Sequence, residues 1–186
     1  MEIQRGDFVG LLGPNGAGKS TLFMILSAIL PRTTGEVSVF GTSLENLDFL
    51  GNTNDMPTYG FVSQSNIFWE ELSVEENLAL VCKFRGIRAE ESTLDKILTA
   101  LDFTPAMLTR LSRHLSGGNK RKLCLGMALI SEPDVLLLDE VSAGLDPIAR
   151  RKILDYLKGL DGTTVLLISH KADEIEQYCH KAGILC

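Results

Sequence analysis

The chain has 186 residues, 45% apolar and 23% charged, with a formal net charge of −6. That length suits one α/β domain with a real core and excludes two large ones. The acidic balance disfavours nucleic acid as a partner, and no run approaches the roughly 20 apolar residues that span a bilayer.

Strand-length apolar runs alternate with helix-period stretches. Phe8 to Leu12 reads as a buried strand followed by a glycine-rich turn, and Lys19 to Leu30 as a helix ended by Pro31. Glu36 to Phe40 alternates at period two and stops at Gly41, which predicts a strand. Asp48 to Pro57 is polar and reads as a surface loop, and Tyr59 to Val62 as a short strand. Ser73 and Glu76 form a capping box that opens a helix to about Arg85, stopped by Gly86. Leu94, Ile97, Leu98 and Leu101 recur at helical spacing between Ala89 and Leu101. The stretch of about 67–113 shows no strand pattern and is expected to form a helical subdomain, extending into a helix over about 116–131. Val135 to Asp139 reads as a buried strand, apolar up to its last residue. Asp146 and Pro147 supply an N-cap and a first-turn proline for a helix to about Lys158. Thr163 to Ser169 is a further buried strand, and Lys171 to Cys179 a final helix. Strands without polar alternation, joined through helices, predict an α/β fold with a largely parallel central sheet covered on both faces.

The first seven residues, Met1 to Asp7, lack the apolar segment of a secretory signal. Cys82, Cys124, Cys179 and Cys186 form no CxxC pair and read as small apolar side chains in a reducing compartment.

Gly13-Pro14-Asn15-Gly16-Ala17-Gly18-Lys19-Ser20 matches G-x-x-x-x-G-K-[ST] between a predicted strand and a predicted helix. The glycines let the backbone curl so that its N–H groups, with the helix start behind them, hold phosphate. Lys19 adds a point charge and Ser20 a hydroxyl for magnesium. Kinases, GTPases and helicases share this loop, so it does not fix the function. Asp139 and Glu140 stand at the carboxyl end of a buried strand, the edge where doubly wound sheets bind ligands. Asp139 is placed to orient magnesium or its water, and Glu140 to polarise an attacking water.

Leu115-Ser116-Gly117-Gly118-Asn119 decides among these enzymes. A Ser-Gly-Gly step opening a helix makes a second anion-binding start. The two starts hardly serve one phosphate, so the second is expected to serve a neighbour's nucleotide. With these residues the chain resembles the ATP-binding cassette family over nearly its whole length. Its Walker A loop is Gly13 to Ser20 continuing into Thr21, its signature Leu115 to Asn119, and its Walker B strand Val135 to Asp139 followed by Glu140. Ser142 to Asp146 resembles the D-loop, Gln64 sits at the Q-loop, and His170 ends a strand as the switch histidine does.

The resemblance implies a P-loop NTPase fold that binds and hydrolyses ATP with Mg2+. Glu140 would be the general base, His170 the contact to the γ-phosphate, and Ser20, Gln64 and Asp139 the magnesium site. Asp146 would cross the interface to a second cassette, in another copy or in the same polypeptide, whose ATP would meet Ser116 to Gly118. Transmembrane domains would be the other partner, and the chain, itself soluble, would sit at the cytoplasmic face of a membrane. Asn119-Lys120-Arg121-Lys122-Leu123 resembles the signature of the A-type, lipid-exporter-like subfamily. The basic triplet reads as a solvated helix face rather than a nucleic-acid patch. The alternatives are a soluble cassette ATPase of translation, DNA repair or chromosome maintenance, and a nucleotide-binding regulator without turnover.

The chain departs from the family at Val141-Ser142, where many members have Pro-Thr, and this predicts only a small change in turn rigidity. No aromatic precedes Phe8, which itself should face the core, so the adenine-stacking side chain that the resemblance implies is expected to be missing. The chain is therefore expected to be one cassette domain over 1–186, clipped at both ends, with weakened ATP binding.

Overall fold

Residues 2–43, 57–87 and 91–185 are described by the computed structural model. In chain order the first elements are β1 (Phe8–Leu12), α1 (Lys19–Leu26), β2 (Ser38–Val39), β3 (Thr42–Ser43), β4 (Tyr59–Val62) and α2 (Val74–Arg85). They are followed by α3 (Glu91–Ala100), α4 (Pro105–Leu108), α5 (Gly117–Leu129), β5 (Val135–Asp139), α6 (Pro147–Lys158), β6 (Thr164–Ile168), α7 (Ala172–Tyr178) and β7 (Lys181–Ile184). The main sheet has the order β4-β5-β6-β1-β7, and every neighbouring pair is parallel.

Strands β5 and β6 are buried along their whole length, which is why they carry no polar alternation. Their odd and even residues feed two cores. Leu136, Leu138, Val165 and Leu167 pack with Leu78, Ile97, Leu101, Leu123 and Ile153 on one face. Val135, Leu137, Leu166 and Ile168 pack with Val9, Leu11 and Phe23 on the other. Phe8 faces the first core, as its place in a buried strand requires.

The register aligns the site. Leu11 pairs with Ile168, Ile168 with Asp139, and Val62 with Leu138. The carboxyl ends of β1, β4, β5 and β6 therefore share one edge, and the loops they release meet there.

Two predicted boundaries are corrected. Helix α1 ends at Leu26, short of Pro31, and the Ser27 N–H and hydroxyl both donate to the Phe23 carbonyl at 2.9 Å. Ala28 then takes φ 53°, and Ile29 N–H closes back on the Met24 carbonyl in a Schellman stop. Of the strand expected over Glu36 to Phe40, only Ser38–Val39 forms, paired antiparallel with Thr42–Ser43. Phe40 and Gly41 both take positive φ and turn the chain in two residues. The loop expected from Asp48 lies outside the described residues up to position 56, as do residues 88–90 at the start of the next predicted helix.

Helix α2 carries the expected capping box, with Ser73 N–H donating to Glu76 at 2.7 Å and Glu76 N–H to the Ser73 hydroxyl at 3.2 Å. Gly86 ends it with φ 63°. Among the described residues, no helix is long and apolar enough to cross a membrane.

Candidate functional site

The loop from Gly13 to Gly18 leaves the end of β1 and opens α1. A Cβ at Gly13 would sit 2.6 Å from the Leu185 carbonyl oxygen, so only glycine fits there. Gly18 caps α1 with φ 91°, and no acidic side chain opposes the helix start. The Lys19 ammonium is buried and donates to the Gly13 and Pro14 carbonyls at 2.7 and 2.8 Å. It is folded onto its own loop, where a phosphate would compete for it. Thr21 is exposed on the first turn of α1.

The Ser20 hydroxyl donates to Asp139 Oδ2 at 3.2 Å, across 119 residues. Burial pushes the Asp139 carboxyl above its ordinary range, while the Ser20 hydrogen bond and the Arg121 and Lys19 charges pull it back. A hydroxyl and a carboxylate, both hard oxygen donors, beside a phosphate loop fit Mg2+. A divalent cation would supply the counter-charge that this buried carboxylate needs.

Glu140 follows in the left-handed region, with φ 51°. Its N–H donates to the Ile168 carbonyl at 2.9 Å, and Ala143 N–H donates to its own carbonyl at 2.9 Å. Its Oε1 lies 3.1 Å from His170 Nδ1. An ionised carboxylate only accepts, so Nδ1 carries the hydrogen in that pair. Gly13, Pro14, Asn15, Gln64, Glu140 and His170 line one cleft of about 610 Å³.

Ser116 to Asn119 lies apart from that lining. Ser116 caps α5, accepting from Asn119 N–H at 3.3 Å, while Leu115 is buried and Gly117 open. Gly118 backs onto the Gly144 carbonyl, which a Cβ would meet at 3.3 Å. Asp146 caps α6, accepting from Ile148 and Ala149 N–H at 3.1 and 3.0 Å. These bonds hold its carboxyl below the ordinary range.

The basic triplet is not a solvated face. Arg121 is 3% exposed and Lys122 also buried, because α5 runs beneath the sheet end and is covered on nearly all sides. The Arg121 guanidinium donates to the Ser63 and Asp139 carbonyls, to Gln64 O at 3.3 Å and to Val141 O at 3.4 Å. Burial draws it below its ordinary range against the opposing pull of Asp139 and Glu140. Glu174, equally hidden to a reading of the sequence, is 2% exposed. It accepts from the Ser142 and Ser169 hydroxyls at 2.6 and 2.9 Å and pairs with Lys171 at 3.3 Å. It thereby ties the turn after Glu140 to the strand end before His170. The apolar run from Leu123 to Ala128 was the available signal for Arg121, since a helix buried all round must partner any cation it carries.

A family model described as ABC transporter matches residues 1–143. An uncharacterized ABC transporter ATP-binding protein, YcbN, of Bacillus subtilis (strain 168) is 35% identical over 194 residues, covering all of this chain and 59% of the relative. The ABC-type organic anion transporter ABCA8A of Mus musculus is 36% identical over 187 residues, covering all of this chain and 11% of the mouse protein. Among solved structures, the dimeric post-hydrolysis state of the ATP-binding cassette MJ0796, bound to ADP and Pi, superposes with a TM-score of 0.86 at 26% identity. That match covers all of this chain and 83% of the other. The chain thus spans under two thirds of both curated relatives.

Proposed function

Since the chain belongs to the ABC transporter family, we propose that it is the ATP-binding and ATP-hydrolysing cassette of a membrane transporter, held at the cytoplasmic face. The observation that carries this reading is the single cleft in which the glycine loop, Gln64, Glu140 and His170 converge. Phosphate-binding loop, base and histidine stand together where the β-strand register brings their loops.

In this reading the backbone N–H groups of residues 13–18 and the Lys19 ammonium hold the β- and γ-phosphates. Lys19 gives up the Gly13 and Pro14 carbonyls to do so. Ser20, Asp139 and Gln64 would hold Mg2+, which would supply charge neutralisation for the phosphates. The Glu140 carboxylate takes the proton of the attacking water. His170 orients Glu140 before ATP arrives and contacts the γ-phosphate afterwards. Ser116, Gly117 and Gly118, outside the cleft of their own chain, complete the site of a second cassette, and Asp146 lies at that interface.

Coupling to transmembrane domains is supported by the surface next to Gln64. Ile67 and Phe84 are 71% and 73% exposed. Trp69 and Phe84 stack with centroids 5.9 Å apart. Beside them lies a groove of about 420 Å³, lined by Phe61, Ile67, Val81, Phe84 and Met127. We propose that a short helix of the transmembrane partner docks there. A lipid cargo rests on the resemblance of the signature to the A-type subfamily, while the mouse relative's name speaks of an organic anion.

Mg2+-dependent release of phosphate from ATP by the chain, abolished in Glu140→Gln, is the expected result. An active Glu140→Gln variant would refute the base assignment.

A further inference from the structure

We propose that Arg121 is a positioning residue for hydrolysis, holding the Gln64 loop and the Glu140 turn in one fixed relation. The role rests on the ATPase reading above. It stands on the acceptors that one guanidinium reaches. Ser63 and Gln64 offer their carbonyls from the loop after β4, and Asn66 Oδ1 lies at the limit of reach, 3.5 Å away. Asp139, the last residue of β5, and Val141, just beyond it, offer theirs. These last two residues flank Glu140, so the guanidinium grips the backbone on both sides of the proposed base.

That grip has a purpose because Glu140 takes φ 51°. A non-glycine residue holds that conformation at a cost and needs surrounding bonds to stay there. Arg121 supplies two of them, and the Ile168 carbonyl and Ala143 N–H supply the others. The planar fork of arginine spans diverging carbonyls that a lysine ammonium cannot reach together. The charge is also matched, since Asp139 and Glu140 both favour the charged guanidinium. Arg121 acts through the backbone on either side of Glu140 and through the Gln64 loop.

The test compares steady-state ATP hydrolysis and melting temperature in the parent chain, Arg121→Lys and Arg121→Met. A misplaced base predicts kcat lower by about 100-fold in folded Arg121→Lys, with KM for ATP within about threefold of the parent. Amide exchange in segments 63–66 and 139–143 should rise in the same variant, while 164–168 stays protected. Should Arg121→Met fail to fold, Arg121→Lys, which keeps charge and most of the volume, decides. A merely structural arginine would lower the melting temperature and the active fraction but leave kcat per folded molecule unchanged. That outcome, or a loss confined to KM, overturns the role. A parent chain that releases no phosphate overturns the ATPase reading and this role with it. A hydrolysing parent with an equally active Arg121→Lys overturns this role alone.

Discussion

His170 Nδ1 lies 3.1 Å from Glu140 Oε1, joining two loops 30 residues apart at the carboxyl edge of the sheet. The pair unites the proposed base with a side chain that can fix its direction, and both face the cleft lined by the glycine loop.

Replacing Glu140 by Gln keeps the shape of the side chain and removes its basicity. Phosphate release should fall by about 10²- to 10⁴-fold, while ATP still binds and an ATP-bound dimer accumulates on gel filtration. His170→Ala should also slow release. Full turnover in either variant contradicts the assignment.

Lys19 is the buried cation of the phosphate loop. In Lys19→Met the loss of charge-assisted bonds should weaken ATP binding by about 10- to 100-fold, read by equilibrium dialysis. The loop should loosen even without nucleotide, because the Gly13 and Pro14 carbonyls lose their donor.

The separation of Ser116 from the cleft makes a mixing experiment decisive. Lys19→Met and Ser116→Arg should each be inactive alone, yet their mixture should regain phosphate release through dimers that assemble one intact composite site. No gain on mixing, with exchange of subunits demonstrated, would rule out the shared site.

Glycine spacing and strand hydrophobicity made the sheet and the phosphate loop legible, since few other sequences curl a backbone between a buried strand and a helix. Asp139 and Glu140 were legible because strand ends in a parallel sheet must gather at one edge, whereas His170 was singled out only by the resemblance to the family. Arg121 was not. A Lys-Arg-Lys triplet looks solvated until the packing of α5 is known, and its partners are carbonyls 18 to 58 residues away, which leave no mark in a side-chain pattern. Glu174 was hidden for the same reason, because Asp173-Glu174 reads as ordinary acid at a helix start. The early end of α1 turned on the left-handed backbone of Ala28, against a favourable apolar period, and alanine gives no signal for that conformation.

Glu174 answers to two hydroxyls and two cations while almost fully buried. Glu174→Gln should cost roughly 1–3 kcal/mol of stability, measured by urea unfolding without nucleotide. Stability equal to the parent would show that the network contributes nothing net.

Burial pushes the Cys179 thiol from 9.0 up to about 12. The native state thus holds this proton more tightly than the unfolded chain. The stability it contributes is fully present below pH 9 and is lost as pH rises through about 12. Thermal unfolding across that window should show a steeper alkaline decline in the parent than in Cys179→Ala. Identical slopes would exclude a contribution from this thiol.

The left-handed backbone at Glu140 has a consequence for any attempt to improve the protein. Glycine is the residue that tolerates φ 51° best, so Glu140→Gly exchanges the proposed base for a relaxed turn. Directed selection scored by heat tolerance alone would drift towards that exchange and return a sturdier protein without the proposed base. Selection on this fold therefore has to be scored on phosphate released, with thermal tolerance read only among variants that still release it.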